Sequence, residues 1–311
     1  MVKKTPNPTE QRNPRTRGLS SKSALQIVRA IHREDVTVTT AVARALPAIS
    51  RAVEAIVRSL ESGGRLFYVG AGTSGRLAAL DAAELPPTFG TRPQMVQALI
   101  AGGRRALTHA VEGAEDDHGQ GARDLKTRGL GSRDAVVGIT ASGSTPYVLG
   151  ALELANRKGC ATIGVTSNPR TPITRLARIS IVTPTGPELI TGSTRMKAGT
   201  SQKMVLNMLS TAAMIRLGRV YDNWMIGVAL TNRKLQARGL RILREASGAT
   251  VADATRALRL SGHNLGAAFI ILKTGASAQE ALRRLRDTNG NVHNALHPAK
   301  HSARGAIHPH G

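Results

Sequence analysis

The sequence predicts an α/β fold: a parallel sheet of about five strands flanked by helices, with helices before it and a small helical region after it. Three observations lead there. Short apolar runs alternate with segments of helical period between residues 64 and 183. Two of those runs end in glycine- and hydroxyl-rich turns that open into helices, Gly70-Ala71-Gly72-Thr73-Ser74-Gly75 and Ala141-Ser142-Gly143-Ser144-Thr145. Beyond residue 183 no strand pattern remains. In open parallel sheets ligands bind beyond the carboxyl ends of the strands, where both turns would lie.

Residues 1–18 are polar, carry three prolines and have no periodicity, so they read as a loose arm. Residues 20–32 and 36–60 carry apolar stripes at helical spacing, including Leu25, Val28 and Ile31, then Ile49, Val53, Ile56 and Leu60. A break is expected near Pro47, and Ser62-Gly63-Gly64 reads as a stop. The first strand is Leu66-Phe67-Tyr68-Val69. The helix after it is expected from Ser74 to Leu85, capped by Thr73 or Ser74 and ended by Pro86-Pro87. A second strand covers 95–100, a helix 104–111, and an acidic island 112–117 precedes a helix ending near Arg128. Strands follow at 134–140, 161–166 and 179–183, with Pro146 as the first residue of an intervening helix. The stretch 188–200 reads as a hydroxyl-rich loop, with Thr200 or Ser201 capping a long helix that ends at Gly218. Short helices are expected at 233–244, 251–260, 265–272 and 278–285. The resulting division is an arm (1–18), the sheet domain with its N-terminal helices (19–230), a helical region (231–296) and a basic, His-rich tail (297–311).

Composition excludes several functions. No stretch approaches the ~18 apolar residues of a membrane span, and the N-terminus lacks the apolar run of a secretion signal. A lone Cys160 rules out an internal disulfide and a cysteine zinc site, and its place beside an apolar run suggests a buried, inert thiol. These features point to the cytoplasm. The net charge of +23 is concentrated towards the ends, and aromatic content is only 2%. Without a stacking platform, specific nucleic-acid recognition is not expected, although non-specific polyanion binding at low salt fits the charge.

The first turn spells G-x-G-x-x-G, but no Asp or Glu occurs between Leu85 and Val111 to hold a ribose, so a dinucleotide site is not supported. Two Ser-rich turns at helix N-termini suit a phosphate monoester instead, with Thr73, Ser74, Ser142, Gly143, Ser144 and Thr145 as candidate contacts. Glu84 and Glu115 are a candidate acid and base. Lys197 is a candidate to neutralise developing charge and Glu188 to bind sugar hydroxyls. No metal-ligand spacing stands out, so neither metal nor cofactor is invoked.

Several segments together carry a resemblance: GRLFYVGAGTSGRL, DAAELPPTFG, AVEGAEDD, GITASGSTPYV, the ELITGSTRMKAGT loop, and the opening Thr9-Glu10-Gln11-Arg12-Asn13-Pro14. They resemble the N-acetylmuramic acid 6-phosphate etherases, sugar isomerase (SIS) domain enzymes of bacterial cell-wall recycling. The resemblance implies a SIS-type sheet, a homodimer without cofactor, and cleavage of the lactyl ether at carbon 3 by elimination and then hydration. It assigns Glu84 as the proton donor to the departing lactate and Glu115 as the base for the carbon 2 proton, with the Ser turns holding the 6-phosphate. Around Glu84 the chain reads LAALDAAEL, where the family more often has Gly-Val and Ser-Glu-Cys, yet the acid is kept. The alternative is a non-catalytic sugar-phosphate sensor like the glucokinase regulatory protein.

Overall fold

The computed structural model describes residues 7–297. The expected tail therefore lies outside the described residues except for His297. Five strands form one parallel sheet in the order β2-β1-β3-β4-β5: β1 (Leu66–Gly70), β2 (Val96–Ile100), β3 (Ala135–Ile139), β4 (Ala161–Thr166) and β5 (Ile179–Val182). The central strands β1 and β3 are buried along their whole length. Their near-continuous apolar runs follow from helices covering both faces.

One face carries α3 (His118–Thr127), α4 (Pro146–Arg157) and the short α5 (Pro172–Leu176). Here Phe67, Val69, Val136, Leu125, Val148 and Leu152 build a core of mostly aliphatic side chains. The thiol of Cys160 is buried in this layer, donates to the Gly131 carbonyl at 3.1 Å, and is pushed up to about 11 by burial. The long α1 (Ala24–Glu61) packs against β1, β3, β4 and β5.

The predicted breaks at prolines did not occur. Helix α1 is continuous through Pro47, entered by a Ser23–Gln26 capping box and closed at Ser62. Buried Val38, Ala41, Val42, Ala45, Ile49, Ala52, Val53 and Ile56 run past the proline as one stripe, so packing holds a helix that local propensity would interrupt. Helix α2 (Gly72–Phe89) likewise carries Pro86-Pro87 in its last turn, with Leu85 and Phe89 buried one turn apart. The expected helix at 104–111 is a shorter 3-10 segment, Gly103–Leu107.

The residues fall into two compact units: the chain up to Pro86 with Thr91–Ala213, and Pro87–Gly90 with Met214 onward. The first holds the sheet and most of α6 (Lys197–Arg216). The second contains α7 (Arg233–Ser247), α8 (Val251–Leu260), α9 (Leu265–Thr274), α10 (Ala278–Asp287) and α11 (Val292–Leu296), the last of which the sequence pattern did not predict. Its core gathers Ile242, Leu243, Leu258, Phe269 and Ile270, with the Tyr221 ring 4.6 Å from that of Phe269. Helices α7 to α11 each start at an Asn, Ser or Thr whose side chain accepts an amide of the first turn.

Residues 7–16, expected to be part of a loose arm, lie instead against the sheet domain. Two short 3-10 turns, Pro8–Glu10 and Pro14–Thr16, order the segment, and Thr9 and Asn13 are buried. Composition could not show this, because the partners lie more than 150 residues away in sequence.

Candidate functional site

Strand order reverses between β1 and β3, since β1 is followed in sequence by β2 on one side and β3 lies on the other. In open α/β sheets ligands bind at such a point. The two turns that the sequence singled out leave the sheet there, one after β1 and one after β3.

The first turn leaves β1 at Gly70 and enters α2. A Cβ on Gly75 would meet the Gly70 carbonyl at 2.9 Å and crowd the Ile100 side chain, and a Cβ on Gly70 would meet the Gly75 amide at 2.7 Å. The strand end and the helix start can touch this closely only as glycines. Ser74 does not cap α2. Its buried hydroxyl donates to Gln202 Oε1 of α6 at 2.9 Å, so it braces the turn. Thr73 remains partly exposed, lying over the start of α6 where Gly199 leaves room for its methyl group.

The second turn is organised by Thr140, which the sequence reading passed over. The Thr140 hydroxyl lies 3.1 Å from that of Ser142 and 2.7 Å from that of Thr145, and it accepts the Gly143 amide at 3.3 Å. Ser142 Oγ in turn accepts the amide and the hydroxyl of Ser144, both at 3.2 Å. Gly143 sits at φ +76°, pressed on Thr171. The outcome is a cup of hydroxyls bonded to one another, with Ser144 exposed at its lip. A phosphate placed here would accept hydrogen bonds from these hydroxyls in exchange for their partners within the cup.

The acidic island is stitched to this cup. The Tyr147 amide, in the first turn of α4, donates to the Glu115 carbonyl at 3.0 Å. Backbone pairing thus holds Glu115 beside the Ser turn, with its carboxylate exposed. Glu84 is also exposed, but it sits twelve residues along α2 from Gly72. That is about 18 Å of helix rise. The fold of one chain therefore brings Glu115 to the Ser turn and does not bring Glu84 to the start of α2.

Glu188 and Lys197 are placed elsewhere than expected. Glu188 is fully buried, and its two oxygens accept the Lys197 and Ala198 amides at 3.0 Å each, capping α6. Burial pushes this carboxyl up, against the pull of those amides and of Lys197. The cap also explains why α6 begins at Lys197, earlier than Thr200 or Ser201. Lys197 is 1% exposed, with Nζ 2.7 Å from Glu34 Oε2. Burial raises the Glu34 carboxyl, but hydrogen bonds from Lys197, Arg15 and Asn13 outweigh it and hold the group below its usual range. Neither Glu188 nor Lys197 reaches a surface where it could touch substrate, and both serve as supports. Glu34 was missed because it lies 163 residues from its partner, and no local pattern signals such a pair.

A second polar seam runs beneath the first turn. Asp81 of α2 accepts the Ser210 hydroxyl at 3.1 Å and faces the buried hydroxyl of Tyr68 on β1. Burial raises the Asp81 carboxyl above its usual range, only partly offset by Ser210, Tyr68 and Lys203.

Comparison with known proteins fits this geometry. Residues 48–156 match the glucokinase regulatory protein N-terminal SIS domain, and residues 118–212 match the SIS domain. The chain is 49% identical over 288 residues to the N-acetylmuramic acid 6-phosphate etherase of Serratia proteamaculans, covering 93% of this chain and 97% of that one. It is 48% identical over 292 residues to the etherase of Brucella anthropi, covering 94% and 95%. The chain belongs to the N-acetylmuramic acid 6-phosphate etherase family. The fold is shared beyond the family. A phosphoheptose isomerase from Francisella tularensis superposes with a TM-score of 0.51 over 62% of this chain and all of that one, at 21% identity. The etherase relatives span the sheet domain and the helical unit alike, since more than nine-tenths of this chain aligns with them.

Proposed function

We propose that this chain is an enzyme that cleaves the D-lactyl ether of N-acetylmuramic acid 6-phosphate, releasing D-lactate and N-acetylglucosamine 6-phosphate, in the recycling of cell-wall amino sugars. The observation that carries this reading is near-50% identity to etherases along almost the whole length of both chains. The regulatory alternative has no comparable support. The reading puts the reaction in the cytoplasm, where a charged phosphosugar, unable to cross a bilayer unaided, is retained.

The cup of Ser142, Gly143, Ser144 and Thr145 holds the 6-phosphate, with Thr73 on the opposite wall and Ser74 bracing it. In the open-chain sugar the aldehyde acidifies the carbon 2 proton. Glu115 takes that proton, the electron pair forms the carbon 2–carbon 3 double bond, and the carbon 3–oxygen bond breaks. Glu84, which its own chain holds about 18 Å of helix from the start of α2, reaches the sugar from the second copy of the chain and gives its proton to the departing lactate oxygen. Water then adds at carbon 3 and a proton returns to carbon 2, restoring both carboxyl groups. Positioned acids and bases of this kind contribute roughly 10²–10⁴-fold each.

The working form is a homodimer. On α1, Leu25, Val28, Val36 and Leu46 are all between 46% and 56% exposed. They fall within an arc of about 80° at 3.6 residues per turn. An apolar stripe of this kind suits a second copy of the chain.

The test is D-lactate release by purified protein, run in deuterated water alongside Glu84→Gln and Glu115→Gln. Wild type releases lactate and incorporates deuterium at carbon 2. Glu115→Gln loses both by at least ~100-fold, and Glu84→Gln loses release while retaining exchange. A folded wild type that binds the phosphosugar and releases no lactate would refute the etherase reading. Unimpaired release by either variant would refute its assigned role.

A further inference from the structure

The opening segment that helped to carry the family resemblance has no part in the chemistry above. Yet it is bonded to the carbonyl end of the sheet, on the side of the site. Thr9 is fully buried, as is Asn168, just after β4. The Asn168 side-chain amide donates to Thr9 Oγ1 at 2.8 Å and to the Ala141 carbonyl at 3.0 Å. The Thr9 amide donates back to Asn168 Oδ1 at 3.4 Å. Ala141 is the residue from which the Ser turn departs. Its carbonyl also accepts the Ser167 amide and the Thr166 hydroxyl, both at 3.2 Å. Asn7 adds a long contact, 3.5 Å, from its side-chain amide to the Ser142 carbonyl.

The other half of the segment is bonded to a different loop. Asn13 donates to the Pro187 carbonyl at 3.4 Å and Thr16 to the Leu189 carbonyl at 2.9 Å. Arg15 reaches Glu34 at 2.9 Å, and Glu34 holds Lys197. The segment thus ties the Ser turn to the start of α6 across the end of the sheet.

We propose that Thr9 is a positioning residue for the phosphosugar site, acting through Asn168 on the 141–145 turn. Asn168 has two side-chain N–H groups and one carbonyl oxygen. With Thr9 in place, both ends of the amide are engaged and its plane is fixed. Without the Thr9 hydroxyl, a buried N–H is left unpaired, and the amide rotates or draws in water. The Ala141 carbonyl then loses its third donor, and the hydroxyls of Ser142 and Ser144 lose their fixed aim. Since the phosphate is held alike in ground and transition states, the loss falls on binding rather than on turnover.

This inference rests on the reading that the Ser turn holds the phosphate, so the experiment tests both. Binding of N-acetylglucosamine 6-phosphate to the full-length chain is measured by calorimetry for wild type, Ser144→Ala, Thr9→Val, Thr9→Ala, Thr9→Ser and Thr16→Val. Two hydroxyl-free variants are used so that one that misfolds does not end the test. Loss of one buried hydrogen bond predicts a Kd raised roughly five- to tenfold for Thr9→Val and Thr9→Ala. Thr9→Ser restores it, and kcat for lactate release changes by less than about twofold. Thr16→Val, on the same segment but bonded to Leu189, leaves Kd unchanged. Weakening by Ser144→Ala without weakening at Thr9 overturns the role of Thr9 and leaves the phosphate cup standing. No weakening by any of these variants removes the phosphate cup itself, and the inference with it. Equal weakening by Thr16→Val and Thr9→Val, or failure of Thr9→Ser to rescue, reduces the segment to general packing and overturns the proposal.

Discussion

Replacing Lys197 with methionine separates support from catalysis. The ammonium is 1% exposed and the Glu34 carboxylate 5%, at 2.7 Å. At an effective dielectric near 20 their attraction is about 6 kcal/mol. Desolvating both groups takes back most of that, so the pair itself adds little net stability. Removing one partner is different, because it leaves a buried charge without its main counter-ion. Such losses are about 3–5 kcal/mol. Arg15 still reaches Glu34, but its side chain is 64% exposed and water screens its share to below about 1 kcal/mol. We therefore expect Lys197→Met to cost about 3 kcal/mol, lowering the urea midpoint of the sheet domain by roughly 1 M. Adding Glu34→Leu removes the orphaned charge and recovers most of the loss. The assay is equilibrium urea unfolding of both variants, with lactate release measured under native conditions. A midpoint unchanged in Lys197→Met, combined with a hundredfold loss of kcat, would refute the structural role and return Lys197 to the substrate. A double variant as unstable as the sum of its parts would refute the coupling.

Two further outcomes follow from buried or exposed groups. Asp81 has its folded-state carboxyl raised by burial, so its contribution is fully present below the unfolded value of about 3.9 and is lost as pH rises through the folded one. Asp81→Asn is therefore expected to gain stability relative to wild type as pH climbs from about 4 towards neutrality; parallel stability profiles in urea melts would refute this. On α1, Leu25→Asp with Val28→Asp is expected to halve the mass seen by light scattering while leaving the helical circular dichroism intact. A wild type that is already monomeric, or a variant that stays dimeric, would refute α1 as the dimer face.

The sequence made the sheet legible because its strands are buried on both faces. Runs such as Ala161–Thr166 declare themselves without any partner, and that strand's limits came out as expected. The turns at Gly70-Ala71-Gly72 and Ser142-Gly143-Ser144 were readable because close backbone approach and positive φ demand glycine there. The N-caps of α8 and α9 were similarly local, and their starts were placed correctly.

What failed was every inference in which a local rule met a distant contact. Pro47 and Pro86-Pro87 weaken a helix in isolation, but buried stripes and anchors on α1 and α2 outweigh that cost. Ser74 reads as a cap until Gln202, 128 residues on, accepts its proton. Glu188 and Lys197 look like site groups in a hydroxyl-rich loop, yet a helix N-terminus and a carboxylate from α1 enclose them. By itself the sequence determined the fold class and the two turns, because those depend on residue type and short-range backbone geometry. The tertiary structure alone decided which polar groups are used internally and which remain free for a ligand. A buried hydroxyl, amide or charge takes the partner that packing supplies, and that partner has no fixed spacing along the chain.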